Sequence, residues 1–285
     1  MKLLDTIKSK IDNTAKYVFL SNGDILELSY IDKNDGKDIV VVPTQTSCNL
    51  GCKFCFLTGL NIPVRNLCRH EMVDGVKYVL MTCRDENEVL LVSFMGCGEP
   101  LLNIDKTIKA MNELVNIGYD YSLTRFAVAS LVPSRHNLQR FTELVLKNQL
   151  LVKFHYSLHT TDDVLRKQLI PAAISSAEAI DGLKTYNITT GNAVEIHYSL
   201  MAGVNDSDSD AENLSKLLSE TPFNVKILKL SEKNTADLKQ SNRVEDFRSI
   251  LSKNGIENEY YDPPGSDVGS SCGQFLVDYY KKYSK

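Results

Sequence analysis

Apolar and polar positions alternate along residues 16–31, KYVFLSNGDILELSYI, on either side of an Asn-Gly-Asp turn. A period of two marks a strand with one buried face, and Asn-Gly supplies the positive-φ positions of a tight turn, so the stretch predicts a β-hairpin. Before it, MKLLDTIKSKIDNTAK is amphipathic and polar, and predicts an N-terminal helix. Short apolar runs then recur: IVVVP (39–43), VLLVSFM (89–95), RFAVAS (125–130), LVKFHYSL (151–158), VEIHYSL (194–200) and NVKILKL (224–230). Between them lie stretches of helical period, EMVDGVKYVLMTC, DKTIKAMNELVNIG, SRHNLQRFTELVLKN, SAEAIDGLKTYN and DSDAENLSKLLSE. Buried strands alternating with helices wind a parallel sheet, and six such units predict an α/β fold, a partial (β/α)6 barrel. The predicted organisation is a single domain over 1–285. It comprises an N-terminal helix and β-hairpin over 1–38, the barrel over 39–240, and a C-terminal helical extension over 241–285. The extension combines RVEDFRSILSKNG, a Pro- and Gly-rich loop and a short last helix.

Composition narrows the class of protein. With 43% hydrophobic and 24% charged residues in 285, the chain reads as globular and not disordered. No apolar leader and no membrane-length run occurs, so the expectation is a cytoplasmic protein without a membrane partner. The net charge of −4 and a pI near 5.8 do not advertise a nucleic-acid binder, so any RNA contact has to come from a local patch. Arg65, Arg69, Arg166 with Lys167, and the terminal KKYSK are the candidates.

Seven cysteines in a reducing compartment point to metal or redox chemistry. Cys48, Cys52 and Cys55 follow the first barrel strand with spacing C-x3-C-x2-C, and Phe54 precedes the last. Three thiolates leave one iron of a four-iron cluster open to an outside ligand. A zinc site would need a fourth ligand, for which His70 on an expected helix is the nearest histidine. The second strand ends in FMGCGEP (94–100), where glycines allow close backbone approach and Glu99 offers a carboxylate. Active-site loops of such barrels lie at the C-terminal ends of the strands, where these residues fall.

C-x3-C-x-aromatic-C in this position resembles the signature of the radical S-adenosylmethionine (SAM) superfamily, whose Gly-Gly-Glu-Pro element is similar to GCGEP. Further stretches occur in the order and spacing of RlmN/Cfr-like enzymes, over nearly the whole chain: RNL (65–67), FMGCGEPLLN (94–103), SLHTTDDVLRKQLIP (157–171), GVND (203–206), SNRVEDFRSIL (241–251) and SSCGQ (270–274). The resemblance implies a radical SAM methyltransferase acting on an adenine base of RNA (tRNA or rRNA), at C2 in preference to C8. It implies a 4Fe-4S cluster on Cys48, Cys52 and Cys55, and SAM lined by Gly98, Glu99, Ser130, Ser157, Leu158, His159 and Asn205. An electron donor such as flavodoxin or ferredoxin is the implied partner. In this family a cysteine of the C-terminal CGQ loop, here Cys272, takes a methyl group from one cofactor molecule. A radical made from a second molecule then activates that methyl group for addition to the base. Glu27 matches a family acid proposed as proton acceptor.

Two departures qualify the resemblance. The family's second catalytic cysteine, seven residues before Cys48, is Val41 here, and valine cannot break a thioether-linked adduct. Cys97, in a position usually methionine in the family, is the expected substitute; a space-filling exchange is the alternative. The family's helical RNA-binding domain is not matched, since only residues 1–15 precede the hairpin. The rival expectations are therefore a radical reaction on a non-RNA substrate, or an adduct-forming nucleic-acid binder without turnover.

Overall fold

The computed structural model describes residues 1–58, 62–83, 87–231 and 237–270. The hairpin of β2 (Asn13–Ser21) and β3 (Asp24–Asp32) pairs Ser21 with Asp24 across Asn22 and Gly23, both at positive φ (53° and 88°). The expected N-terminal helix is instead β1 (Lys2–Lys8), antiparallel to β2. Its exposure alternates residue by residue, with Leu3, Asp5 and Ile7 half-buried, and the open edge of β2 supplies hydrogen-bond partners that an isolated helix of this length would lack. The antiparallel part ends at β4 (Lys37–Val41), which pairs with β3.

From β4 onward the sheet is parallel: β5 (Val89–Phe94), β6 (Leu123–Ser130), β7 (Val152–Ser157), β8 (Val194–Ser199) and β9 (Asn224–Leu228) follow in spatial as in chain order. A seventh parallel strand, β10 (Asn258–Tyr261), lies in the stretch expected to be helical, paired with β9 after α7 (Val244–Lys253). The remaining crossovers are α1 (Arg69–Cys83), α2 (Ile104–Leu114), α3 (Arg135–Lys147), α4 (Asp163–Leu169) with α5 (Ser176–Thr190), and α6 (Asp208–Leu218). Ser134, Ser175 and Ser207 cap α3, α5 and α6 by accepting from backbone N–H groups of the first turn. The expected last helix lies outside the described residues.

Side chains of each parallel strand divide between two faces. Val40, Val92, Phe126, Val128, Phe154, Tyr156, Ile196, Tyr198 and Ile227 point outward and pack, with the helices, into one large core. The alternate positions face a lumen. There β3 to β6 present Ile31, Ile39, Val41, Leu91, Ser93, Ala127 and Ala129, whereas β7 to β10 present His155, Ser157, His197, Lys226 and Tyr261. The lumen thus has an apolar wall and a polar wall, a consequence of period-two strands whose inward positions differ in chemistry.

The open side is bridged by the segment after β10. Gly265 N–H donates to Asp12 (2.7 Å), Ser9 Oγ and Lys10 N–H donate to Asp267 (2.8 Å each), and Ser29 Oγ donates to Ser270 Oγ (3.0 Å). Lys33 Nζ meets the Tyr261 hydroxyl at 2.9 Å. These contacts tie the last strand back to the antiparallel strands and curl the ten-stranded sheet into a partial barrel.

Candidate active site

The loop after β4 carries the three cysteines, all half-buried around one cavity. It is pinned from outside by Lys53 N–H donating to Leu169 O (2.9 Å), and braced within by Thr58 Oγ1 donating to Cys52 O (2.7 Å). Gly96, Cys97, Gly98 and Glu99 after β5 line the same cavity, with Ser130 at the end of β6, Ser157 at the end of β7 and His159 just beyond it. The structure therefore brings together most of the residues expected from sequence.

The two glycines, which line the cavity, also have a packing role. A Cβ on Gly98, at φ 100°, would lie 2.6 Å from Gln45 Cβ, and one on Gly96 would lie 2.8 Å from the Val42 and Pro43 backbone. Both are required because the loop after β5 lies directly on the loop after β4. There Thr44 and Gln45 N–H both donate to Cys97 O (2.9 and 3.2 Å).

Glu99 is buried and held from several sides: Leu101 N–H at 2.9 Å, Leu131 N–H at 3.2 Å, and the Ser130 hydroxyl. Burial raises its carboxyl to about 7 against these hydrogen bonds. Burial likewise pushes the Cys48 thiol up to about 12, with Cys55 and Glu99 adding to it, and takes Cys97 well above its ordinary value, with Cys48, Cys55 and Glu27 contributing. Burial thus favours the protonated thiol at Cys48 and Cys97.

His159 accepts from Ser199 N–H at Nδ1 (2.9 Å), which assigns its proton to Nε2. Phe54, the aromatic residue of the cysteine motif, meets its ring edge-on at 4.7 Å between centroids. Asn205 does not line the cavity. It is fully buried, its Oδ1 accepts from Met201 N–H (2.7 Å), and its Nδ2 donates to His159 O (2.5 Å) and Ser199 O (2.9 Å). Its amide is consumed in fixing the His159 turn, so it positions the site from behind. Leu158, also fully buried, belongs to the outer core.

Glu27 faces the lumen side of β3, buried, 3.5 Å from the equally buried Lys16 Nζ. Val41 and Cys97 pack in one apolar cluster with Ile31 and Leu57, beside Cys48 and Cys55. Cys272 lies outside the described residues. Ser270, two residues earlier, lines the lumen. His70 is exposed at the start of α1, away from the cavity.

Of the arginines expected to contact RNA, Arg166 is committed internally, and Arg65 is ion-paired within the chain with 37% of its side chain exposed. Arg166 is 2% exposed and donates to the carbonyls of Ser157 (3.1 Å), Leu158, Leu131 (3.2 Å) and Ile174 (3.4 Å), joining the turns after β6 and β7. Arg65 forks onto Glu71 (2.9 and 3.0 Å) and reaches Asp24. Sequence reading also missed Gln45, whose Oε1 holds Glu99 N–H at 2.9 Å, and the polar residues inside β7 to β9. Their signal was polar side chains at alternate positions of runs read as apolar.

No family model matches the chain. A probable dual-specificity RNA methyltransferase RlmN of Thermotoga neapolitana is 34% identical over 97% of this chain and 80% of its own length. The corresponding protein of Clostridium perfringens is 33% identical over 98% and 80%. The chain belongs to the RlmN family. The crystal structure of a radical SAM methyltransferase from Sphaerobacter thermophilus superimposes with a TM-score of 0.85 at 28% identity, over 96% of this chain and 80% of that one. This RlmN-family chain is thus a SAM-dependent radical methyltransferase with the fold expected from its sequence.

Proposed function

We propose that this chain methylates an adenine base of RNA at C2, through a methyl group carried on Cys272. Its curated relatives supply the substrate class, being RNA methyltransferases by name. The observation that carries the reading is the convergence of three cysteines, Gly98 and Glu99, and His159 on one cavity that adjoins an apolar-walled lumen.

The donor set fits a 4Fe-4S cluster. Among the described residues, the sole three-donor set converging within 4.8 Å lies elsewhere, so the three cysteine sulfurs are not all drawn together to the about 3.8 Å spacing of thiolates sharing one zinc. Cys48, Cys52 and Cys55 would hold the cluster, and Glu99, with Ser130 behind it, would accept from the ammonium of SAM. Bound together, the two supply the methyl carbon and the one-electron chemistry. His159 offers its Nε2–H to the cavity, locked by Ser199 and Phe54. Ile31, Ile39, Val41, Leu91, Ala127 and Ala129 exclude water from the base and give its flat face an apolar surface. Ser270 on the lumen wall supports delivery from Cys272.

Resolution of the adduct falls to Cys97, which packs in the same cluster as Val41. Its thiolate attacks the Cys272 sulfur and a Cys97–Cys272 disulfide forms. The carbon–sulfur bond to the adduct breaks with its electron pair on carbon, and that carbon takes a proton to become the methyl group. An external dithiol then reduces the disulfide. Cys97 must lose its proton against burial and nearby acids. Glu27 is the adjacent acid able to exchange protons there.

The test incubates cluster-loaded enzyme anaerobically with SAM, a one-electron reductant and tRNA or rRNA transcripts, and analyses digested nucleosides by mass spectrometry. 2-Methyladenosine from the wild type and none from Cys272→Ala is the expected result. 8-Methyladenosine would move the site to C8, and no methylated base in any RNA would remove the RNA reading. Cys97→Ala is expected to stall as a protein–RNA adduct on a denaturing gel; many turnovers by that variant would refute the resolving role.

A further inference from the structure

The polar wall of the lumen holds a cluster that the proposed reaction does not use. His155 on β7 stands in register with Glu195 on β8, and His197 follows two residues on along the same face. All three are buried. Nδ1 of His155 lies 2.8 Å from Nε2 of His197 and 3.0 Å from Oε1 of Glu195, and His197 Nε2 lies 3.4 Å from the same oxygen. We propose that His155, Glu195 and His197 form a site for a divalent first-row transition metal ion, with its remaining coordination positions open to the lumen.

The triangle has the dimensions of a ligand set. Nitrogen and oxygen donors about 2.0–2.2 Å from a tetrahedral ion stand roughly 3.3–3.5 Å apart, so spreading the shorter edges by a few tenths of an ångström admits one. Hydrogen bonding does not account for the convergence as well. A neutral imidazole carries one proton and can direct it along one edge only, so two neutral histidines satisfy at most two of the three close edges of the triangle. Burial favours neutral imidazole, the form that ligates.

The surroundings orient the carboxylate for this role. Its other oxygen, Oε2, is held by Lys153 Nζ (2.6 Å) and Asn224 Nδ2 (2.9 Å), which turns Oε1 toward the imidazoles. Lys226 Nζ sits 2.8 Å from Oε1 and is the group an ion would displace. It keeps Glu259 at 2.9 Å and lies over the Tyr261 ring at 5.0 Å. His155 and His197 line the lumen together with Met95, Ala129, Ser157 and His159, which also line the cysteine cavity. Two histidines and one carboxylate with free positions suit Fe2+, Co2+, Ni2+ or Zn2+, and not the all-oxygen preference of Mg2+ or Ca2+.

Co2+ is the probe. Cluster-loaded full-length enzyme, its cluster in the diamagnetic resting state, receives one equivalent of Co2+ anaerobically and is desalted, then analysed for cobalt and by electron paramagnetic resonance. The expected result is one retained Co2+ with a high-spin signal whose pulsed spectrum shows couplings to two imidazole nitrogens. That readout needs no variant, and couplings to fewer than two nitrogens would overturn the proposal. His155→Ala and His197→Ala should lose the signal, and Glu195→Gln, which removes the one anionic ligand, should weaken binding. His70→Ala and His136→Ala should leave it unchanged. No retained cobalt, or retention indifferent to His155 and His197, would also overturn it.

Discussion

Replacing Gly98 by alanine tests whether contact between two strand-end loops builds the site. The residue sits at φ 100°, where an L side chain is strained by about 1–3 kcal/mol. Its new Cβ would lie 2.6 Å from Gln45 Cβ and 2.8 Å from Gln45 N, so the collision is with main chain and its first side-chain carbon. Neither partner can yield cheaply, because Thr44 and Gln45 N–H are bonded to Cys97 O and Gln45 Oε1 to Glu99 N–H. Overpacking of this kind adds about 1–3 kcal/mol, for a total of about 4 kcal/mol. Gly118 is the internal control: φ 86° with no atom within 4 Å of an added Cβ, so its alanine variant feels the backbone strain alone, about 1–2 kcal/mol. Urea unfolding of the cluster-free chain measures both. Because Glu99 follows Gly98, SAM binding to the cluster-loaded Gly98→Ala variant should also fall, while Gly118→Ala binds normally. Equal urea midpoints for the two variants, with unimpaired SAM binding by Gly98→Ala, would refute the argument.

Three further outcomes follow from the same geometry. Burial alone would raise the Glu71 carboxyl, but Arg65, Cys68 N–H and Ser21 bring it to about 2, so its contribution is complete above the unfolded value near 4.5 and lost as pH falls toward 2. After allowance for the partly exposed Arg65, about 2 kcal/mol should disappear over that window in wild type but not in Glu71→Gln, read from urea midpoints at stepped pH. Glu99 accepts from an ammonium only when ionised, so SAM affinity should rise as pH increases through about 7, and Glu99→Gln should bind about 10-fold more weakly with no such rise, measured by equilibrium dialysis. Arg166→Met leaves three or more buried carbonyls without a donor and should cost about 3–5 kcal/mol, with a lower melting temperature; a loss below about 1 kcal/mol would show that water replaces the guanidinium.

The alternation of strand and helix, the hairpin at Asn22-Gly23 and the spacing of Cys48, Cys52 and Cys55 were legible because each is a local pattern with a local cause. The hairpin turn needs positive φ, the strands need period two, and the helices need 3.6. Residues 2–8 misled because their amphipathicity suits either element, and only the free edge of β2 selects a strand. β10 was missed because four residues between a helix and a Pro-rich loop carry no period of their own, and pairing with β9 makes them a strand.

The class of chemistry at the strand ends was readable in the C-x3-C-x2-C spacing and the family resemblance it carries, whereas Gly98 and Glu99 gained meaning from their place at the end of the second barrel strand. Which side chains reach the cavity is a property of the folded barrel. Asn205 and Arg166 carry groups as suitable as those of His159 or Glu99, yet their polar atoms are spent on main-chain groups: Asn205 on the Met201 N–H and two carbonyls, Arg166 on carbonyls alone. His155, Glu195 and His197 look unremarkable in two separate apolar runs. Parallel pairing puts them on adjacent strands with their side chains on one face, and burial makes that meeting matter.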